Sequence, residues 1–235
     1  QFNIKEVSAY LHLAQSDVAT LVKRKEIPFK MQGDRAVFSR SEIDGWASQR
    51  ILKLPEKRLA DYHSRSSSGI HNLDHGKALM PRLFTVEHIS PGLGSRTRAS
   101  AIRDMVGLAE KTELVSDARD LLRMIEEREQ LCSTALAGGF AILHPRHHDP
   151  YMFTESFIVL GRAIQPIHFG ADDGLPTDLF FLVCCQDDRL HLHTLARLCT
   201  VCMQTGILGA LREAEDAGAM LEVLCAAEQE VLQRL

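Results

Sequence analysis

Apolar residues at Ile4, Val7, Ala9, Tyr10 and Leu11 share one face at helical spacing, which predicts a short helix over Ile4–Leu11. A second helix is expected where Val18, Leu21 and Val22 line up behind Ser16, a residue type that caps helix N-termini. After Pro28, the extended stretches Phe29-Lys30-Met31 and Ala36-Val37-Phe38 flank Gln32-Gly33-Asp34-Arg35. This is a hairpin pattern whose turn uses the positive φ open to Gly33. Ser39 or Ser41 would cap a third helix, with Ile43 and Trp46 inward. From about Leu54 to Met80 the periodicity dissolves into charges and the run Ser64-Arg65-Ser66-Ser67-Ser68-Gly69. That composition predicts a linker, with a charged helix over 55–63 as the alternative. Further on, helices are expected over Arg98–Glu110, Asp117–Gln130, Leu190–Met203, Ile207–Ala214 and Ala217–Leu235. Buried strands are expected over Gly139–Leu143, Ser156–Leu160 and Leu179–Cys185. The order implies an α/β domain with helices flanking a mixed β-sheet over 81–235, preceded by a small helical domain over 1–53 and a linker over 54–80.

Composition narrows the class. With 235 residues the chain exceeds the ~150 of a typical domain, in keeping with two units. Hydrophobic residues at 45% and charged residues at 25% are ordinary for a globular protein and argue against wholesale disorder. The longest uninterrupted apolar run, Leu179–Cys185, is far short of the ~18 residues of a membrane span, so no membrane insertion is expected. Six cysteines and no N-terminal apolar targeting stretch point to reduced thiols and a cytoplasmic location. Residues 1–60 carry 11 Lys and Arg against 7 Asp and Glu, whereas the remainder carries 16 against 24. A basic front on an acidic body suits a protein whose front alone meets a polyanion.

The front segment 4–51 pairs two short helices with a basic cluster, an Ile-Pro step, a hairpin and a helix holding Trp46. It resembles the excisionase-type helix-turn-helix, a relative of the MerR winged-helix fold, and the resemblance implies DNA binding. In that arrangement the second helix fits the major groove, with Ser16, Asp17 and Thr20 towards base edges. Lys23, Arg24 and Lys25, with Lys30 and Arg35 on the wing and Arg40, would contact phosphates. A module this small implies a homodimer or repeated sites for useful specificity.

In the main domain, Gly138–Arg146 (GGFAILHPR) puts His144 directly after a short apolar strand, where open α/β sheets commonly place ligand sites. A neutral imidazole is a nucleophile towards phosphorus if its surroundings tolerate added negative charge. Arg128, in Glu126-Glu127-Arg128-Glu129 sixteen residues upstream, could bind phosphate oxygens. The stretch Gln186–His193, with Asp187 or Asp188 as cap, opens a helix whose first turn suits phosphate and contains His191. The run EEREQLCSTALAGGFAILHPR resembles the enzyme IIA signature of the fructose/mannitol class of the phosphotransferase system and its nitrogen-regulatory relatives. AIQPIHFGADDGLPTDLFFLVCCQDDRLHLHTLARL resembles that family's second signature.

The resemblance implies that His144 is the phosphorylated histidine, Arg128 the phosphate-stabilising arginine and His191 the second active-site histidine, with Ser133 and Thr134 as the nearby hydroxyl pair. It also implies phosphoryl supply from the carrier HPr, onward transfer to a IIB domain or retention as a regulatory mark, and no metal or organic cofactor. The sequence departs from the family at Leu143, where Pro is usual, at Cys132, Ala135 and Ala137, which replace glycines, and at His168, which replaces an acidic residue. Losing glycines is expected to stiffen or reshape the loop beside His144.

The functional expectation is a regulator that couples phosphorylation of His144 to DNA binding. The alternatives are a sugar-specific phosphocarrier serving a separate IIB, or a sensor domain that is not phosphorylated. Two other clusters are discounted as metal sites. His144, His147, His148 and Asp149 share one Pro-flanked loop, and Cys199-x-x-Cys202 has no second pair and is expected to face the core.

Overall fold

The computed structural model describes residues 1–54, 58–59, 62, 78–146 and 151–234, with Asp188 and Arg189 described by backbone only. The front unit opens with α1 (Ile4–Leu11). A reciprocal capping box starts this helix: the Asn3 side chain accepts from the Glu6 backbone N–H at 3.0 Å, and the Glu6 carboxylate accepts from that of Asn3 at 2.8 Å. Helix α2 (Gln15–Lys23) starts one residue before the expected cap. Ala14 occupies the N-cap with no side-chain bond, and Ser16 lies inside the first turn, where its carbonyl accepts from the Thr20 hydroxyl.

Strands β1 (Lys30–Gln32) and β2 (Arg35–Val37) form the expected hairpin, with Gly33 at φ 62° in its turn. Helix α3 (Arg40–Leu52) has Ser39 at its N-cap, but the Ser39 hydroxyl meets that of Ser41 instead of a backbone N–H. Ile43 is buried as expected, whereas Trp46 is only half-buried and donates its indole N–H to the Glu26 carbonyl at 2.6 Å. A bridge between Phe2 and Phe38 closes the unit over Val7, Leu11, Val18 and Leu21.

Most of the expected linker, namely 55–57, 60–61 and 63–77, lies outside the described residues. The chain continues through α4 (Met80–Leu83) into strand β3 (Ile89–Leu93) and helices α5 (Arg98–Glu110) and α6 (Ala118–Leu131). Strands β4 (Ala135–Leu136), β5 (Phe140–Leu143), β6 (Phe157–Ile167) and β7 (Thr177–Cys184) follow, then helices α7 (Asp188–Gln204), α8 (Ile207–Glu213) and α9 (Ala217–Leu232).

The five strands form one mixed sheet in the order β3-β6-β7-β5-β4, with β3/β6 and β5/β7 parallel and β6/β7 and β4/β5 antiparallel. Side chains alternate between its faces. Ala141, Leu143, Phe180 and Leu182 pack with α5 and α6, and Phe140, Ile142, Leu179 and Phe181 pack with α7 and α9. Strand β3 is not legible from periodicity because Pro91 and Gly92 interrupt it, and its edge position tolerates a proline that cannot donate to a ladder. Strand β6 outruns the expected Ser156–Leu160 segment, continuing past a register shift after Arg162.

One buried charged cluster ties the start of the domain to its end. Glu228 on α9 accepts from the backbone N–H groups of Leu79 and Met80, each at 2.8 Å, and from Arg197 on α7 at 2.8 Å. Arg197→Met would leave the Glu228 carboxylate uncompensated in the core. A loss of about 3 kcal/mol or more is expected in urea denaturation, larger than for the double variant Arg197→Met/Glu228→Gln.

Candidate functional site

Strands β5 and β7 run side by side and parallel, so their carboxyl ends open on the same edge of the sheet. His144 is the first residue beyond β5, and Asp187, beyond β7, is the N-cap of α7 and accepts from Leu190 N–H at 2.9 Å. His191, one turn into α7, thereby comes to face His144, with ring centroids 5.1 Å apart. Arg128 enters from the last turn of α6, on the same apolar stripe as Leu121 and Ile125. Arg128, His144 and His191 are each 1% exposed.

The hydrogen bonds assign the His144 tautomer. Nδ1 lies 2.9 Å from the Ile142 carbonyl oxygen, which can only accept, so Nδ1 carries the proton. Nε2 lies 3.0 Å from Arg128 Nε, which can only donate, so Nε2 presents its lone pair. Arg128 also donates through Nη1 to the Cys132 carbonyl at 3.1 Å, but its buried Nη2 has no hydrogen-bond partner among the described residues. A buried guanidinium with a nitrogen that the described residues leave unengaged, beside an unprotonated imidazole nitrogen, is suited to an anion with several oxygens.

The hydroxyls of Ser133 and Thr134 sit nearby but are committed elsewhere. Ser133 donates to the Phe169 carbonyl at 3.0 Å, and Thr134 donates to Glu129 at 2.7 Å. Glu129, which sequence reasoning did not single out, also receives the Thr134 backbone N–H and Arg98 Nη2, and so fixes the turn from α6 into β4. Its spacing of four from Ile125 on α6 was the available signal for an inward position. Ser48 of α3 is a second residue that sequence reasoning missed. It is buried with its hydroxyl 3.4 Å from His191 Nε2, and no local pattern brings residues 143 apart together.

The replaced glycines do not distort the backbone. Cys132 is extended at φ −167°, and neither Ala135 nor Ala137 is among the positive-φ residues, so a β-carbon at these positions causes no backbone strain. Positive φ is kept at Gly138 and Gly139, and a β-carbon at Gly139 would meet Arg212 Nη2 at 2.7 Å. Leu143 is fully buried and pairs with Leu182 in the parallel ladder.

In the front unit, Ser16, Asp17, Thr20, Lys23, Arg24, Lys25, Lys30, Arg35 and Arg40 are all exposed. The first six cluster on and just beyond α2, and Lys30 and Arg35 lie on the hairpin.

Residues 82–226 match the family described as "Phosphoenolpyruvate-dependent sugar phosphotransferase system, EIIA 2". The chain belongs to this family. Residues 2–51 match a helix-turn-helix domain. A nitrogen regulatory protein of Bradyrhizobium diazoefficiens is 30% identical over 145 residues, which cover 60% of this chain and 92% of that protein. The fructose-specific EIIABC component of Bacillus subtilis is 27% identical over 144 residues, 60% of this chain but 22% of its own length, so the chain spans about a fifth of that relative. Among solved structures, nitrogen regulatory protein IIA-Ntr from Neisseria meningitidis is similar with a TM-score of 0.57 at 25% identity, over 63% of this chain and 99% of that one. Mannitol IIA from Escherichia coli shares the fold with a TM-score of 0.52 at 19% identity, over 60% and 98% of the two chains.

Outside the histidine cluster, Cys199 and Cys202 are buried in the EIIA core, and no group of three or more metal-ligating side chains occurs among the described residues. His147, His148 and Asp149 lie outside those residues. Burial pushes the Cys199 and Cys185 thiols up to about 12 and also raises those of Cys184 and Cys202 well above the usual thiol value. All four remain protonated at pH 8, and protonated thiols are poor nucleophiles. Iodoacetamide at pH 8 is therefore expected to modify half-exposed Cys132 first and these four only on unfolding, as peptide mass spectrometry would register.

Proposed function

We propose that this chain is a nitrogen-regulatory type EIIA regulator: His144 accepts a phosphoryl group from an HPr-type carrier, and the helix-turn-helix domain conveys that state to DNA. The observation that carries the reading is the buried Arg128 beside the lone pair of His144 Nε2, with Nη2 bonded to none of the described residues. In the step proposed, a nitrogen–phosphorus bond forms at Nε2 as the bond from phosphorus to the donor breaks, and the electron pair leaves with the donor. Nδ1 keeps its proton and its bond to the Ile142 carbonyl, so the ring stays oriented throughout. Arg128 turns its Nε and Nη2 donors onto the new phosphate oxygens, and His191 supplies a further hydrogen bond. Placement and fixed charge stabilise the transferring group, which is where most catalysis of phosphoryl transfer arises.

On this reading the chain divides into a DNA-binding domain over 1–53, a connector over 54–80 and the phosphoacceptor domain over 81–235. Its partners are the phosphocarrier, DNA and, for onward signalling, a IIB domain or a regulated target, in the cytoplasm. The exposed cations of α2 and the hairpin support the DNA assignment, and a footprint of this size suits binding as a homodimer.

With a phosphorylated HPr-type carrier as donor, wild-type protein is expected to gain one phosphoryl group, removed by acid as a phosphohistidine would be. His144→Ala is expected to gain none, and Arg128→Met to load about 10²-fold more slowly, the usual scale for losing one such donor. Labelling of His144→Ala at the wild-type rate would overturn the site. For DNA, affinity for a duplex should fall steeply with salt, and Lys23→Ala or Arg24→Ala should each lower the salt slope by about 1. Binding that ignores salt would point instead to a plain phosphocarrier with a protein-contacting front domain.

A further inference from the structure

A protein donor cannot deliver phosphorus to a nitrogen it cannot reach. Arg128, His144 and His191 are each 1% exposed, and His144 Nε2 is occupied by Arg128 Nε. An element packed against His191 comes from the other domain. Helix α3 of the helix-turn-helix unit packs on α7, the helix that carries His191. Ser48 sits in this interface, 4% exposed. Its hydroxyl proton goes to the Asp44 carbonyl at 2.9 Å, so towards His191 Nε2, at 3.4 Å, the oxygen can only accept. The His191 N–H proposed to serve the phosphoryl group thus faces Ser48. Ile51 and Leu52, further along α3, are buried in one apolar cluster with Phe140, Ile142, Leu192 and Leu195 of the EIIA domain, so the seating is a packed interface rather than a single polar touch. At its edge Lys53 pairs with Asp172 at 3.6 Å; both are exposed, so the pair steers more than it stabilises.

We propose that α3 of the helix-turn-helix domain is a lid on the histidine site, seated on the face that a phosphocarrier must use, so that docking of the front domain and phosphoryl loading exclude one another. Loading then requires α3 to leave α7. Once His144 is phosphorylated, the charged group between the two rings takes the His191 N–H away from Ser48 and disfavours the return of an apolar helix face. The phosphorylation state is thereby written directly into whether the DNA-reading unit is held or released, with residues 54–80 keeping it tethered. The cations of α2 and the hairpin are exposed in the docked form, so the lid acts by holding the reading unit and not by covering its basic face. The inference rests on the proposed function only in taking His144 as the acceptor.

The test uses the full chain and two probes. Diethyl pyrocarbonate reads access to His144 and His191 by peptide mass spectrometry without any carrier, and the phosphorylated HPr-type carrier reads loading. Ser48→Phe wedges the interface and leaves the three site residues intact. Carbethoxylation of His144 and His191 is expected to rise about tenfold or more, with loading rising in parallel, because reactivity scales with the fraction of molecules whose site is open. Lys53→Glu places like charges at the rim and is expected to raise both rates about twofold, which guards against Ser48→Phe failing to fold. A natively folded Ser48→Phe protein whose histidines react at the wild-type rate overturns the lid, as does Lys53→Glu at the wild-type rate if Ser48→Phe does not fold. A rise in histidine reactivity with no label from the carrier in any variant would uphold the lid and sink the phosphoacceptor reading, so the two failures are distinguishable.

Discussion

The parallel pairing of β5 with β7 is the constraint on which the rest of the site depends. Four consecutive pairs, from Phe140 with Leu179 to Leu143 with Leu182, align the carboxyl ends of the two strands. That alignment sets the first residue after β5 opposite the first turn of the helix after β7, and so brings His144 and His191 together. A slip of one residue would exchange the two faces of β5, moving Ala141 and Leu143 from the α5/α6 side to the α7/α9 side. The apolar layers on both sides of the sheet therefore hold the histidines in register.

Within that frame the unusual element is a buried cation. Arg128 donates to His144 and to Cys132, and nothing among the described residues uses Nη2. Burying a guanidinium so sparsely satisfied costs stability, and the surrounding structure carries that cost. The neighbouring Glu129 does not neutralise it, because its carboxylate is spent on Arg98 and on both the N–H and hydroxyl of Thr134. Two adjacent residues of one helix thus differ: Glu129 is fully engaged in holding the loop, and Arg128 has a nitrogen that none of the described residues engages.

The second consequence of the sheet is that its α7 side is shared. Residues of the front domain and of the EIIA core belong to one apolar cluster, and Ser48 reaches the ring of His191. The histidine pair and the helix-turn-helix are thus in direct contact through α3. A phosphoryl group accepted there, as proposed, would change charge where two domains meet, the kind of local event that a two-position element converts into a large response.

The sequence by itself determined the two-unit order, most of the helices and the three buried strands, and it singled out the histidines and the arginine that the structure brings together. Its signals are local: a spacing of 3.6 or 2, a cap, a glycine that turns, a signature run. Where local signals conflicted, tertiary structure decided. Strand β3 carries Pro91 and Gly92 and survives because it lies at a sheet edge, and α2 starts at Gln15 with Ser16 in its first turn. The departures at Cys132, Ala135 and Ala137 looked like changes of loop shape, and only their φ angles show that the backbone there is ordinary. The commitment of Thr134 to Glu129, the contact of Arg128 with His144 and the seating of Ser48 against His191 depend on side chains brought together from separate parts of the chain. Such contacts are set by how layers pack, and no periodicity along the chain encodes which faces will meet.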